Sequence, residues 1–241
     1  MAPVEALADI DTLVVFDIDN TLIEPTVTLG SDQWFYWYAA RLESEGLTPT
    51  AASDAANAVW NKVQPAIAVR AVEDSTPALV GRLQARGIRV MALTARSRDA
   101  AGVTETQLAS AGYVMGRHAF GASRRRVGKS ADMIYEDGIL YVGEHASKGE
   151  ALVRFLKHER HRPKRVVFAD DKAKHTVTVD AALQKIGLPV VALRYGAADA
   201  RVAAFDPAVA EIQYRAWSRV LTDEEAAALV KCAPTAPPPA K

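Results

Sequence analysis

One cysteine, Cys232, stands in a chain of 241 residues, so no internal disulfide can form and the fold rests on its core and hydrogen bonds. No stretch approaches the roughly 18 to 20 apolar residues that a membrane-spanning helix needs. The first ten residues carry neither a basic stretch nor a long apolar one, so no secretory leader is expected and the expected location is the cytoplasm, a processed form of an exported protein being the alternative. Net charge is lacking as well: 29 Lys+Arg offset 29 Asp+Glu, for a formal charge of +0. Nucleic acid and membrane are therefore not expected partners, because both draw on a basic excess. Internal repeats are absent too, which excludes a solenoid.

What is present suits one large α/β domain or a domain with a small insert. Short apolar runs at 13–16, 88–93, 166–169 and 189–193 read as buried strands. Helical stretches at 76–86, 99–111, 148–159 and 174–186 separate or follow them, most stopped by Gly87, Gly112 or Gly187. This alternation predicts a mostly parallel sheet covered by helices. Residues 133–141 read as a β-hairpin turning at Asp137-Gly138.

The first run ends abruptly in Asp17 and Asp19, followed by Asn20-Thr21. In a parallel sheet, ligands sit beyond the carboxyl ends of the strands. Burying ionised carboxylates there costs several kcal/mol unless positive charge meets them. A divalent cation such as Mg²⁺, held by oxygen ligands and by a substrate's phosphate, supplies that charge. A second acidic pair, Asp170-Asp171, ends the run 166–169. Thr94 ends the run 88–93, and Lys148 follows the helix-capping Ser147.

Asp17-x-Asp19-x-Thr21 after an apolar strand resembles the first motif of the haloacid dehalogenase (HAD)-like superfamily. Thr94 in Ala-Leu-Thr-Ala-Arg, Lys148 in Ser-Lys-Gly-Glu and the pair Asp170-Asp171 are similar to its three further motifs, in order. The resemblance covers about residues 12–195. It implies a three-layer, Rossmann-like fold with a small helical cap: core at 10–24 and 72–231 and cap at 25–71, while composition alone reads the Pro/Ala-rich tail at 232–241 as disordered. It also implies a Mg²⁺-dependent phosphatase acting on a small phosphorylated substrate. In those roles Asp17 is the nucleophile, Asp19 the general acid and base, Lys148 the neutralising cation, and Thr94 a donor to the phosphoryl group. Asp17, Asp19 (through its backbone carbonyl), Asp170 and Asp171 are the metal ligands. Asp32, Gln33, Ala95 and Arg96 are candidate substrate contacts. Phosphotransfer to an acceptor other than water, or a non-catalytic scaffold that binds a partner, are the alternatives. The string Leu-Gly-Ser-Asp-Gln-Trp at 29–34 is similar to a bacterial branch of the superfamily.

Two helices are expected in the insert. The first, capped by Ser31 or Asp32, carries five adjacent aromatics at 34–38, more than one helix face can hide. The second runs over 50–69 with Pro65 near its end, after Pro49 has blocked quick resumption. Helices at 207–220 and 222–231 close the chain, the latter opened by the capping box Thr222-x-x-Glu225. Gly121 to Ser130 is not a phosphate-binding P-loop, because Ser123 stands where that motif needs glycine. Arg124, Arg125 and Arg126 read as a solvated loop. The basic cluster at 154–165 reads as complementing a helix dipole. His145 and His175 lie near motifs and read as ordinary surface or core residues.

Overall fold

The computed structural model describes residues 1–121, 123–128, 133–143 and 147–232. The expected disordered tail beyond Cys232, and His145, lie outside them. The chain forms two units: Met1–Glu24 with Val69–Arg201, and Pro25–Ala68 with Val202–Lys241.

The first unit begins with α1 (Ala2–Leu7), β1 (Thr12–Phe16) and β2 (Ile23–Pro25). The insert carries α2 (Asp32–Ser44) and α3 (Pro49–Val63). The chain returns through β3 (Val69–Ala71), which pairs with β2 in a two-stranded ribbon, then α4 (Thr76–Ala85), β4 (Arg89–Thr94) and α5 (Ala101–Ser110). Next come β5 (Arg125–Arg126), β6 (Ile134–Glu136), β7 (Ile139–Tyr141), α6 (Lys148–His158), β8 (Arg165–Asp170), α7 (Ala173–Gln184) and β9 (Val190–Arg194). The short α8 (Asp199–Ala203) precedes α9 (Pro207–Arg215) and α10 (Asp223–Cys232).

Seven strands form one sheet in the order β5-β6-β7-β4-β1-β8-β9. β7, β4, β1, β8 and β9 run parallel and only β6 opposes its neighbours, so β1 is the middle of the parallel set. The hairpin at Asp137-Gly138 forms as expected and delivers β7 to the edge of β4. Glycine is required at 138: its φ is +84°, and a Cβ there would lie 2.2 Å from the Met115 carbonyl oxygen.

The strands read as unbroken apolar runs because both faces are buried. Val14 and Phe16 of β1, with Val90 and Val167, pack under α4 and α5 through Leu79, Leu83 and Leu108. Leu13 and Val15, with Met91 and Phe168, pack under α6 and α7 through Leu152, Phe155, Val179 and Leu183. Helix, sheet and helix make three layers. Arg125 is not solvated: its guanidinium lies 4.3 Å from the Tyr135 ring centroid and pairs with Glu159 at 3.0 Å, because β5 joins the sheet edge.

The second unit is helical. Pro49 opens α3 at its first position, where its missing N–H costs nothing, and the Thr48 hydroxyl accepts from Ala51 N–H. The expected core range included 202–231, yet α9 and α10 pack within this unit. Trp34 and Tyr38 stack at 5.4 Å, and both meet Tyr214 of α9, at 5.6 and 5.7 Å. Trp37 meets Phe205 at 6.4 Å. These partners are the second surface that five adjacent aromatics demanded. Buried Gln213 accepts from Leu29 N–H at 2.8 Å and donates to the Leu221 carbonyl and to Asp223. The capping box holds, with Thr222 N–H on Glu225 at 2.9 Å and Glu225 N–H on Thr222 Oγ1 at 3.1 Å.

Candidate active site

β1 and β8 end side by side, so Asp17 and Asp170 emerge together at the carboxyl ends of adjacent parallel strands. Asp17 N–H donates to the Ala169 carbonyl at 2.9 Å, continuing the ladder one residue beyond β1. Asn20 then adopts φ +58°, a left-handed conformation that asparagine tolerates better than most residues. The turn lets Leu22 N–H return to the Ile18 carbonyl, and the Thr21 hydroxyl accepts from Asp171 N–H at 3.0 Å. The conspicuous Asn-Thr after the acids is thus the clamp between the two acidic loops.

Lys148, first residue of α6, places Nζ 2.6 Å from Asp17 Oδ1 and 2.7 Å from Asp170 Oδ2. All three side chains are buried. Burial, and next the Asp170 charge, push the Asp17 carboxyl above its ordinary range, with Lys148 opposing. Against burial, Asp17 and Asp170 raise the Lys148 ammonium further, so it stays charged. Asp170 is held low against burial by Lys148 and by His175. One lysine therefore faces more buried carboxylate charge than it cancels.

Asp19 has a different partner. Arg96 Nε donates to Asp19 Oδ2 at 2.9 Å and Nη2 donates to Oδ1 at 2.7 Å. Arg96 Nη1 donates to Thr104 Oγ1 at 3.0 Å and Gln107 Oε1 at 2.8 Å, both on α5. Burial lifts the Asp19 carboxyl, but the Arg96 charge and hydrogen bonds outweigh it and hold Asp19 below its ordinary range. Thr94 Oγ1 accepts from Arg96 N–H at 3.1 Å, which leaves the hydroxyl proton for a further acceptor.

His175, in the first turn of α7, is not the ordinary residue that the sequence suggests. Its Nδ1 lies 3.2 and 3.1 Å from the two Asp170 oxygens. Burial lowers its basicity, so the neutral ring donates from Nδ1 and leaves Nε2 bare. Asp17, Asp170 and His175 bring ligand atoms within 4.8 Å of one another. The two carboxylates of this set fit a hard divalent cation where negative charge is in excess, and His175, with Nδ1 on Asp170, stands beside them. The Asp19 and Asp171 side chains are not in that set; the Asp19 carboxylate is on Arg96. The usable signal for His175 was its spacing, one helical turn beyond a strand that ends in acids. Ala95 lies between Thr94 and Arg96, partly exposed. Asp32 and Gln33, partly exposed, open α2 in the helical unit, where the Ser31 hydroxyl caps Trp34 N–H at 3.1 Å.

Fold and site together define a three-layer α/β protein with a buried carboxylate–lysine centre at the carboxyl ends of its central strands. The chain belongs to the family described as "Protein of unknown function (DUF2608)", which matches residues 2–227. Among its relatives, a Chlamydia trachomatis protein named "Putative outer membrane protein" is 24% identical over 92% of this chain and 83% of its own length. A Chlamydia pneumoniae protein of similar name is 22% identical over 90% of this chain and 82% of its own. Among the described residues no helix is long and apolar enough to cross a membrane.

Proposed function

We propose that this chain is a Mg²⁺-dependent phosphomonoester hydrolase of the HAD-like type, working through an aspartyl-phosphate on Asp17. The observation that carries the reading is Lys148 Nζ seated between Asp17 and Asp170, at 2.6 and 2.7 Å. A structural ion pair needs one carboxylate; two at the open ends of parallel strands leave an excess of negative charge that suits a cation, and through it an anionic substrate. Asp17 and Asp170, with His175 beside them, would hold the cation. When bound, Mg²⁺ supplies the positive charge that lets a phosphate dianion approach this acidic centre.

The chain's own residues carry the steps. An Asp17 carboxylate oxygen attacks phosphorus, and the bond from phosphorus to the leaving oxygen breaks. The leaving oxygen takes a proton from Asp19. Water then attacks the phosphorus of the aspartyl-phosphate, gives its proton to Asp19, and frees phosphate and the Asp17 carboxylate. Lys148 offsets part of the carboxylate charge and stands beside the attacking Asp17, and the Thr94 hydroxyl donates to a phosphoryl oxygen. The Arg96 pair keeps Asp19 ionised in the free protein, as the second step needs. A nearby substrate phosphate raises the Asp19 proton affinity for the first. The helical unit is assigned the cap's part, selection of a small phosphorylated substrate, with Asp32 and Gln33 as its candidate contacts.

The test is hydrolysis of an aryl phosphate with and without Mg²⁺, by the wild type and by Asp17→Asn. Metal-dependent turnover that vanishes in the variant supports the reading. Mg²⁺ binding without hydrolysis points either to a closed, selective cap or to phosphotransfer to another acceptor. Neither activity nor Mg²⁺ binding sinks the enzyme and leaves a partner-binding scaffold. A cytoplasmic location belongs to the same proposal; the relatives' name favours the envelope, and cell fractionation decides.

A further inference from the structure

The end of the sheet opposite the acidic centre holds a cavity of about 500 Å³. Its walls are the α6–β8 connection (Arg160, His161, Arg162, Pro163) and the α7–β9 connection (Ile186, Leu188). Both connections precede their strands, so the cavity lies at the amino ends of β8 and β9, roughly 16 Å from Asp170 along β8. The volume falls within the range of small-molecule sites. Three fixed cations line it (Lys157, Arg160, Arg162) and no carboxylate does. Leu156, Pro163, Ile186, Leu188 and Pro189 give it an apolar part, and Ile186 is 44% exposed.

Complementing the α6 dipole does not account for these cations. The last carbonyls of α6 are satisfied by backbone: Arg160 N–H donates to Lys157 O and His161 N–H to Leu156 O. Neighbouring cations do find partners, Lys164 on Asp11 at 2.7 Å and Arg165 on Asp9 at 3.1 Å. Among the described residues no carboxylate pairs with Lys157, Arg160 or Arg162. The backbone adds an independent sign. Helices α2, α4, α5 and α7 each end with a left-handed glycine: Gly46, Gly87, Gly112 and Gly187. Helix α6 ends with the same hydrogen-bond pattern, but Arg160 takes the left-handed position at φ +52°. Glycine adopts this conformation without strain and arginine does not. The arginine that replaces it lines the cavity. The His161 ring is set against Phe120 at 5.0 Å, and Phe120 packs on Phe155 at 5.0 Å, so this wall is anchored to the core.

We infer that this cavity binds a small organic anion, with an acidic head on Arg160, Arg162 and Lys157 and an apolar or aromatic body against Leu188, Ile186 and Pro163. The site is separate from the acidic centre and does not depend on the phosphatase reading.

Calorimetric titration of the full chain with naphthalene-2-sulfonate tests it, since a phosphatase cannot hydrolyse that probe. Saturable binding is expected, weakened at least about tenfold in Arg160→Glu/Arg162→Glu and unchanged in Asp17→Asn. An unchanged melting temperature in the double variant shows that folding is not the cause. Ile186→Asp should weaken the same binding, and inorganic sulfate should bind at least about tenfold more weakly than the probe. Absence of saturable binding, equal binding by the double arginine variant, or equal affinity for sulfate would overturn the inference.

Discussion

Arg96 grips both carboxylate oxygens of Asp19, at 2.9 and 2.7 Å, while Thr104 and Gln107 hold the guanidinium from behind. If Asp19 is the proton donor, Arg96 positions it. Arg96→Met should then slow alkyl phosphates by about a hundredfold and nitrophenyl phosphate, whose leaving oxygen needs no proton, far less. The pair of kcat values checks it. Equal losses on both substrates would show that Arg96 acts on substrate binding instead.

Asp17 carries a stability penalty in the metal-free protein, because burial and the Asp170 charge oppose its ionisation. Asp17→Asn should raise unfolding free energy in EDTA at neutral pH by about 1 kcal/mol. Urea denaturation is the measurement. Loss of stability in the variant would mean that the Lys148 pair outweighs the repulsion.

His175 gives the centre an imidazole beside two carboxylates. His175→Ala should weaken Mn²⁺ binding, read by the fall in free-ion electron paramagnetic resonance signal, by roughly tenfold or more. Unchanged Mn²⁺ affinity would make His175 a partner of Asp170 alone.

The Tyr195 hydroxyl bonds Glu73 at 2.5 Å. That bond, against burial, holds the Glu73 carboxyl below its ordinary value. A depressed carboxyl contributes stability that is full above its unfolded pKa and is lost as pH falls through its folded value. Tyr195→Phe should therefore be most destabilising at neutral pH, with the difference shrinking as the solution is acidified below about pH 4.5. Melting temperatures of both proteins across that range test it, and a pH-independent difference would assign the effect to packing.

The alternation of strands and helices was legible because each segment is set by local periodicity and by burial on both sheet faces. So were the capping box at Thr222, the Asp137-Gly138 turn, and the placement of Asp17, Thr94 and Asp170 at or just beyond strand ends. These are short-range properties that a few neighbouring residues impose. What the sequence alone could not decide was who meets whom. Asp19 and Arg96 are 77 residues apart. Only the parallel pairing of β1 with β4 brings their strand ends together, which turns a candidate substrate contact into the clamp on Asp19. His175 enters the centre because β8 lies beside β1 and α7 starts where β8 stops. The C-terminal helices leave the sheet for the insert because Tyr214, Phe205 and Gln213 find their partners there. Local chemistry determined the elements and their carboxylates; the order of strands in the sheet, a property of long-range packing, decided which charges share a site.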